Sequence, residues 1–413
     1  MDILFDLGLI ITISVVCAWL LGRAYITRAL GYIVAGILAG LILKRVIQPT
    51  LIAGFDVLSG AALGFVTFLI GEDFSVPGIR RMGLRGPVLA TAQALLTYAV
   101  VLVGIVTLEV LGLFRLEHAV PEALLLAATA TATAPAATFE VIKRLKAHGP
   151  VTEALAMAVT FDDAVGIVVF DISVVVARAM MGNSVVSGWG VLATSLSELG
   201  LSLALGMGAG LIFGLVARLL HSHNDVRILG IGMVLLTVGL SRMWELSPLL
   251  ASLVLGVVFA NIAPSADRVF EDLDYWSSPL LLLFFFLAGA TTDFALLGSA
   301  WPVVVVYIVL RAVGKIGGSA IGAWMIRAPR NVRRNLGLSM LPQAGLAVGH
   351  ALVVTSLFPD LRYISMTVVV AVLFFDVVGS SVTRRVLTTC GEAGGSTATA
   401  ARPQGKLKST TGG

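Results

Sequence analysis

Apolar residues fall in thirteen long runs along the chain, at 3–22, 28–46, 56–72, 86–113, 120–146, 151–181, 193–220, 227–242, 247–263, 278–297, 300–326, 333–357 and 362–386. Charged and polar residues gather in the gaps between them. Each run is at or near the ~20 residues that an α-helix needs to cross the hydrocarbon core of a bilayer. The pattern therefore predicts thirteen membrane-spanning helices and an all-α polytopic membrane protein. The divide at Trp244-Glu245-Leu246-Ser247-Pro248 is the weakest, but fusing the eighth and ninth runs makes a helix too long for one crossing. The first run starts at Ile3, after Asp2 and without Lys or Arg, and reads as a retained helix rather than a secretory signal.

Two runs are interrupted. The fifth holds Ala128-Thr129-Ala130-Thr131-Ala132-Thr133-Ala134-Pro135, and the twelfth holds Leu341-Pro342-Gln343-Ala344-Gly345. Proline removes a backbone donor and clashes with the preceding turn. Non-helical backbone at membrane depth persists only where protein or a wet cavity covers it. A short echo links Phe68-Leu69-Ile70-Gly71 at the end of the third run with Phe286-Leu287-Ala288-Gly289 in the tenth. Seven runs separate them, so runs one to six map onto eight to thirteen as inverted copies, with the seventh as connector. Broken helices at matching places in inverted repeats point to a transporter's binding site.

Composition agrees with the pattern. The chain is 58% hydrophobic and 13% charged, with a mean hydropathy of +0.98, against about 25% charged in soluble domains. Forty-four glycines suit close helix contacts in lipid. The net charge of +4 carries no suggestion of nucleic acid. With the N-terminus outside, the inward segments hold twenty of the 28 Lys and Arg and the outward segments six, leaving Arg311 and Lys315 inside the eleventh run. That bias predicts an outside N-terminus and a cytoplasmic C-terminus. Cys17 and Cys390 form no framework and no metal cluster, and no cofactor is expected.

Within this apolar chain, Asp162 and Asp163 sit side by side in the middle of the sixth run. Carboxylates at such depth are costly and mark ion or proton paths. On a helix they point ~100° apart, so one can face a cavity while the other meets a neighbouring helix. Lys315 is a natural partner for the second, because a buried ammonium needs a counter-charge. Arg311, one turn away, is either a second partner or a side chain that reaches back to the interface. A buried carboxylate favours neutrality, which a proton or a dehydrated Na⁺ or Li⁺ can supply. Asp163 with Thr131, Thr133 and freed carbonyls near Pro135 offers the oxygen ligands that a hard cation needs. Proton and cation then compete for one site. Secondary candidates are Asp171 as lining of an outer funnel, Glu140 as partner of a buried base and His350 as a pH sensor. Glu72, Asp73 and Asp293 lie at interfacial helix ends.

At these residues the chain resembles the monovalent cation:proton antiporters, in the Kef/Nap-type branch that includes bacterial electrogenic sodium/proton exchangers. The Gly-rich helix from Leu30 to Gly40, Thr133-Ala134-Pro135, the Asp162-Asp163 pair and Lys315 carry the likeness, which extends to about residue 386. The resemblance implies a Na⁺/H⁺ antiporter fold with two broken helices crossing in the core at Pro135, Pro342 and Gln343. It implies a homodimer in the inner membrane and an elevator-like motion. Residues 1–386 are the transmembrane domain: a dimer domain at about 1–80 and 225–298, a core at about 86–182 and 300–386, and a linker helix at about 193–220. Asp163 is expected to carry the transported Na⁺ and the proton, and Asp162 to pair with Lys315. Residues 387–413, ending in Gly, Ser, Thr, Ala and Lys, are expected as a disordered cytoplasmic tail. Potassium-efflux relatives carry a nucleotide-binding domain and a Gln before the conserved Asp, whereas Asp162 stands here; both differences favour sodium. Potassium/proton exchange is the alternative, and a sodium-coupled organic-anion symporter a further one. An intramembrane aspartyl protease would need its carboxylates on two helices, and a channel would need a filter sequence.

Overall fold

A computed structural model of the chain describes residues 3–22, 27–42, 49–76, 79–80, 83–181, 188–264, 266–343 and 345–394. The α-helices among them are α1 (Ile3–Gly22), α2 (Arg28–Ile42), α3 (Pro49–Ile70), α4 (Arg85–Val110), α5 (Ala119–Thr131), α6 (Pro135–Leu145), α7 (Pro150–Met181), α8 (Gly188–Leu219), α9 (His223–Met243), α10 (Pro248–Ile262), α11 (Ala266–Ala290), α12 (Leu297–Met325), α13 (Arg330–Ser339), α14 (Gly345–Leu357) and α15 (Arg362–Thr389). Ten helical stretches are long and apolar enough to cross a membrane, and Arg28–Leu41, Pro248–Ile262 and Gly345–Leu357 are shorter apolar helices. The fifth and twelfth runs are each split, into α5/α6 and α13/α14.

The bundle turns apolar side chains outward. Trp19, Leu211, Leu215, Val305, Val309 and Val313 are all exposed, and contiguous apolar surface of this kind fits a lipid surround. Inside, small residues set the crossings. A Cβ on Gly36 of α2 would overlap the Phe286 carbonyl of α11, and one on Gly289 of α11 would overlap the Ile33 carbonyl of α2. On the other side α3 packs on α10, and α12 lies along α4 with Gly314 and Gly318 against Thr97 and Gln93. Only side chains without a Cβ let the backbones approach so closely. An aromatic stack of Phe68, Phe213, Phe259 and Phe270 fills the α3–α8–α10–α11 side, with Phe213 and Phe259 3.8 Å apart at 7°.

Most helix limits fall close to the apolar runs, with instructive exceptions. The helix of the tenth run, α11, begins at Ala266, not near 278, and ends at Ala290. Its first three turns are amphipathic: Val269, Phe270, Leu273 and Ser277 are buried, while Asp267, Glu271 and Asp272 interrupt the hydropathy. Pro279, which looks like a start, lies inside the helix. The helices of the eighth and ninth runs, α9 and α10, are separate, because Glu245 adopts a left-handed φ of 55° and the Leu246 N–H returns to the Ser241 carbonyl at 2.8 Å. The chain also stays ordered past 387. Leu387 is buried, α15 runs to Thr389, and Glu392 accepts from the Val151 N–H at 2.9 Å and the Thr152 N–H at 2.7 Å. Glu392 thus caps the first turn of α7, whose amides have no partner within the helix. Residues 395–413 lie outside the described residues.

Candidate functional site

The break between α5 and α6 frees the last carbonyls of α5, and each finds a side-chain donor. Thr131 Oγ1 bonds back to the Ala128 carbonyl at 2.7 Å. Gln343 Nε2 donates to the Thr129 carbonyl at 3.1 Å, Arg311 Nε to Ala130 at 3.1 Å and Arg311 Nη2 to Ala132 at 2.8 Å. Lys315 Nζ takes the Thr131 carbonyl. Two cations therefore stand at the negative end of the α5 dipole. The second break joins the same network. Arg311 Nη1 reaches the Leu341 carbonyl at 2.8 Å, and the Ala134 N–H reaches the Pro342 carbonyl at 3.1 Å. Tyr307 Oη accepts from Gln343 Nε2 at 3.0 Å and lies 3.3 Å from Thr129 Oγ1. Pro135 opens α6 at its first turn, where the missing N–H costs nothing.

Arg311 is fully buried, 4.4 Å over the Phe375 ring, so it does not reach back to an interface. Its planar fork spans carbonyls from both breaks, a task that a single ammonium cannot perform.

Against this crossing stand the two aspartates of α7. Asp162 is closed off. Its Oδ2 takes Lys315 Nζ at 2.9 Å and the Thr133 hydroxyl, and its Oδ1 takes Gln93 Nε2. Lys315 Nζ also reaches Thr133 Oγ1 at 2.7 Å. Asp163 faces another way. It is 4% exposed, the Thr133 backbone amide lies against it, and its Oδ1 has no hydrogen-bond partner among the described residues. The expectation that the hydroxyls of Thr131 and Thr133 join Asp163 is corrected. The Thr131 hydroxyl closes on its own helix, and the Thr133 hydroxyl sits between Lys315 and Asp162, because a buried ion pair must satisfy its remaining lone pairs locally.

Gln93 was not among the sequence candidates. It is fully buried on α4, and its neighbours in sequence give no hint of a partner on α7. Tyr307 was missed for the same reason. Asp171 lines a cavity of about 1170 Å³, with Arg178, Glu198, Arg242, Asp293 and Arg362, while Asp163 is not part of that lining. Glu140 pairs with half-exposed Arg144 one turn on rather than with a buried base. His350 is buried, its ring stacked 3.9 Å from that of Phe170. Glu72 and Asp73 lie exposed on the short turn after α3, and Asp293 caps the turn before α12 by accepting from the Ala295 N–H at 3.0 Å. No group of three or more His, Cys, Asp or Glu side chains suited to a resident metal occurs among the described residues.

The arrangement resembles that of known proteins. The chain is similar in fold to the sodium proton antiporter MjNhaP1 from Methanocaldococcus jannaschii at pH 8, with 19% identity over 93% of this chain and 95% of that one and a TM-score of 0.69. An electron-microscopy structure of the same antiporter gives 17% identity, coverage of 95% and 97%, and a TM-score of 0.65. No curated protein sequence matches the chain. The transmembrane sodium/hydrogen exchanger family matches residues 10–388, nearly the whole chain. A pair of broken helices pinned by buried cations, beside one closed and one open carboxylate, thus belongs to a secondary transporter and not an enzyme: the chain is a member of the sodium/hydrogen exchanger family.

Proposed function

We propose that this chain exchanges Na⁺, with Li⁺ as a second cargo, for protons by alternating access, and that Asp163 is the group on which cation and proton compete. One observation carries the reading. Of two adjacent buried carboxylates, Asp162 has partners on both oxygens, and Asp163 keeps a buried oxygen without a hydrogen-bond partner among the described residues. A carboxylate in a dry, apolar interior must be neutralised; a dehydrated cation does so with help from nearby carbonyls, and so does a proton. Both cannot occupy the same oxygen, and that exclusion makes an exchanger.

Asp162 and Lys315 make the transport electrogenic in this reading. Cation binding draws Asp162 from Lys315, which then sheds its proton, so two protons move against one cation. A net charge crossing ~100 mV is driven by ~2.3 kcal/mol. The presence of Asp162 where the potassium-efflux relatives carry Gln supports sodium over potassium efflux as the activity within the Kef/Nap-type branch. The excess of Lys and Arg in one set of loops supports an inner-membrane orientation with the N-terminus outside.

The packing supports an inverted repeat of six helices. Counting α5/α6 and α13/α14 as one crossing each gives thirteen crossings. Crossing two lies on crossing ten as crossing nine lies on three, and four lies on six as eleven lies on thirteen. The same reading assigns residues 1–80 and 225–298 to a scaffold that pairs in a homodimer. Residues 86–182 and 300–386 form a moving core, with 193–220 as linker.

Everted vesicles loaded with a pH-sensitive dye test the proposal, with Na⁺, Li⁺ and K⁺ added in turn. Sodium dequenches the dye with the native chain and not with Asp163→Asn; dequenching that survives the substitution removes Asp163 from its role. A response to K⁺ alone makes the chain a potassium exchanger. Lys315→Gln keeps exchange but loses its response to an imposed potential, and an unchanged response removes Lys315 as the second proton carrier.

A further inference from the structure

Two buried aspartates outside the ion site make the same contact at opposite ends of the bundle. Asp171 of α7 accepts from Ser247 Oγ at 2.6 Å, and Ser247 Oγ accepts from the Leu250 N–H at 3.1 Å, so the serine caps α10. Asp376 of α15 accepts from Thr27 Oγ1 at 2.8 Å and from the Thr27 N–H at 3.2 Å, and Thr27 Oγ1 accepts from the Leu30 N–H at 3.3 Å at the start of α2. All four side chains are at most 8% exposed. The capped helix α10 is 15 residues long, about 22 Å and so shorter than the ~30 Å hydrocarbon core. Each capped helix starts inside the bundle, where its first amides need a partner and its positive dipole end favours a carboxylate.

The two contacts lie at opposite ends. Ser247 lines the same cavity as Asp293, just beyond the end of α11. Gly40, near the end of α2, lies against Ala290 of α11, so Thr27 at the start of α2 is at the far side. They are also counterparts. α7 and α15 are crossings six and thirteen, and α2 and α10 are crossings two and nine. In each case a core aspartate holds the hydroxyl that caps a scaffold helix.

We infer that Asp171–Ser247 and Asp376–Thr27 are twin pivots, positioning residues that fix the axis about which the core turns against the scaffold during transport. In an inverted repeat, the opposite-facing state is reached when the two copies exchange conformations. A contact that both copies make in one state is then made by both in the other. Such contacts cannot be gates, which form on one side and break on the other. Two fixed points define an axis, and Asp163, on the same core helix as Asp171, moves with the core about it. The inference rests on the exchange reading and the six-helix repeat given above.

Cross-linking tests it in the full chain, reconstituted in vesicles with Cys17→Ser and Cys390→Ser as background. Cysteine pairs replace Asp171 with Ser247, Asp376 with Thr27, and Phe74 with Phe161. The last two rings meet edge-on, 5.1 Å apart, across the core–scaffold boundary and away from both pivots. A short bis-thiosulfonate bridges each pair, and sodium-driven proton movement is recorded before bridging, after it and after reduction. Bridged pivots keep transport within about threefold, while the bridged Phe74–Phe161 pair loses more than about tenfold and recovers on reduction. Reversible arrest by either pivot bridge overturns the inference, and so does free transport through the bridged Phe74–Phe161 pair. Absence of sodium-driven proton movement in the unsubstituted chain instead fails the exchange reading itself. Should a cysteine pair not fold, Asp171→Asn and Asp376→Asn decide. A pivot variant lowers turnover and leaves the KM for Na⁺ within about twofold, whereas a rise of about tenfold in KM makes the residue an ion ligand and ends the proposal.

Discussion

Taking the Asp162–Lys315 pair apart one partner at a time separates its charge from its packing. Lys315→Met removes the ammonium. Asp162 keeps Gln93 and Thr133 as donors, but the Thr131 carbonyl loses its only described one. A buried charge left without its counter-charge costs about 3–5 kcal/mol, and the two surviving donors hold this variant near 3 kcal/mol. Asp162→Asn leaves Lys315 its bonds to the Thr131 carbonyl and the Thr133 hydroxyl. Lys315 is then a buried ammonium without its counter-charge, and its two remaining acceptors hold this cost near 3 kcal/mol as well. If the two effects were independent, the double variant would lose about 6 kcal/mol. It leaves no charge unpaired, however, only the orphaned Thr131 carbonyl, at about 2 kcal/mol. The cycle therefore closes with a coupling of roughly 4 kcal/mol, within the range measured for close charge pairs. Unfolding by dodecyl sulfate in mixed micelles, followed through the six tryptophans, gives each free energy. A coupling under about 0.5 kcal/mol would refute the view that the pair is buried as a charge-compensated unit.

Two other outcomes are expected. Arg311→Lys keeps the charge but not the fork that spans the carbonyls of Ala130, Ala132 and Leu341; with one or two acceptors orphaned, it loses about 2–4 kcal/mol in the same micelle titration, and a native-like midpoint would dismiss the clamp. The proposed competition of proton and sodium at Asp163 requires that lowering the pH raises the apparent KM for Na⁺ by up to about tenfold per unit at unchanged maximal rate; a KM that is flat between about pH 8.5 and 6.5 would contradict a shared site.

What could be read from the chain and what could not divide along a physical line. A carboxylate in an apolar run, or a proline inside a helix, is a local violation, visible wherever it occurs. Asp162, Asp163, Pro135, Pro342 and Lys315 were legible on that ground. The partner that resolves each violation is chosen by packing. Gln93 on α4 is an ordinary polar residue until α7 lies beside it. The fork of Arg311 acquires its meaning only when both breaks meet around it. The threonines were legible as oxygen donors, but their acceptors were not, since a hydroxyl can turn to its own helix or across to a neighbour. Amphipathic ends blur in the same way. The first turns of α11 and the segment after Val386 bury one face only, so an average over apolar residues passes them by.

The carboxylate of Glu392 closes the chain back onto the helix that bears Asp162 and Asp163. Its two oxygens occupy the Val151 and Thr152 amides, and the Thr152 hydroxyl as well, while the Gly394 N–H returns to the Leu145 carbonyl at 2.9 Å. Trimming the protein back to residue 386, where its apolar runs end, would unseat the base of α7 some twelve residues below Asp163. Fluorescent reporters and affinity tags therefore belong beyond Gly394, where they leave that foundation intact.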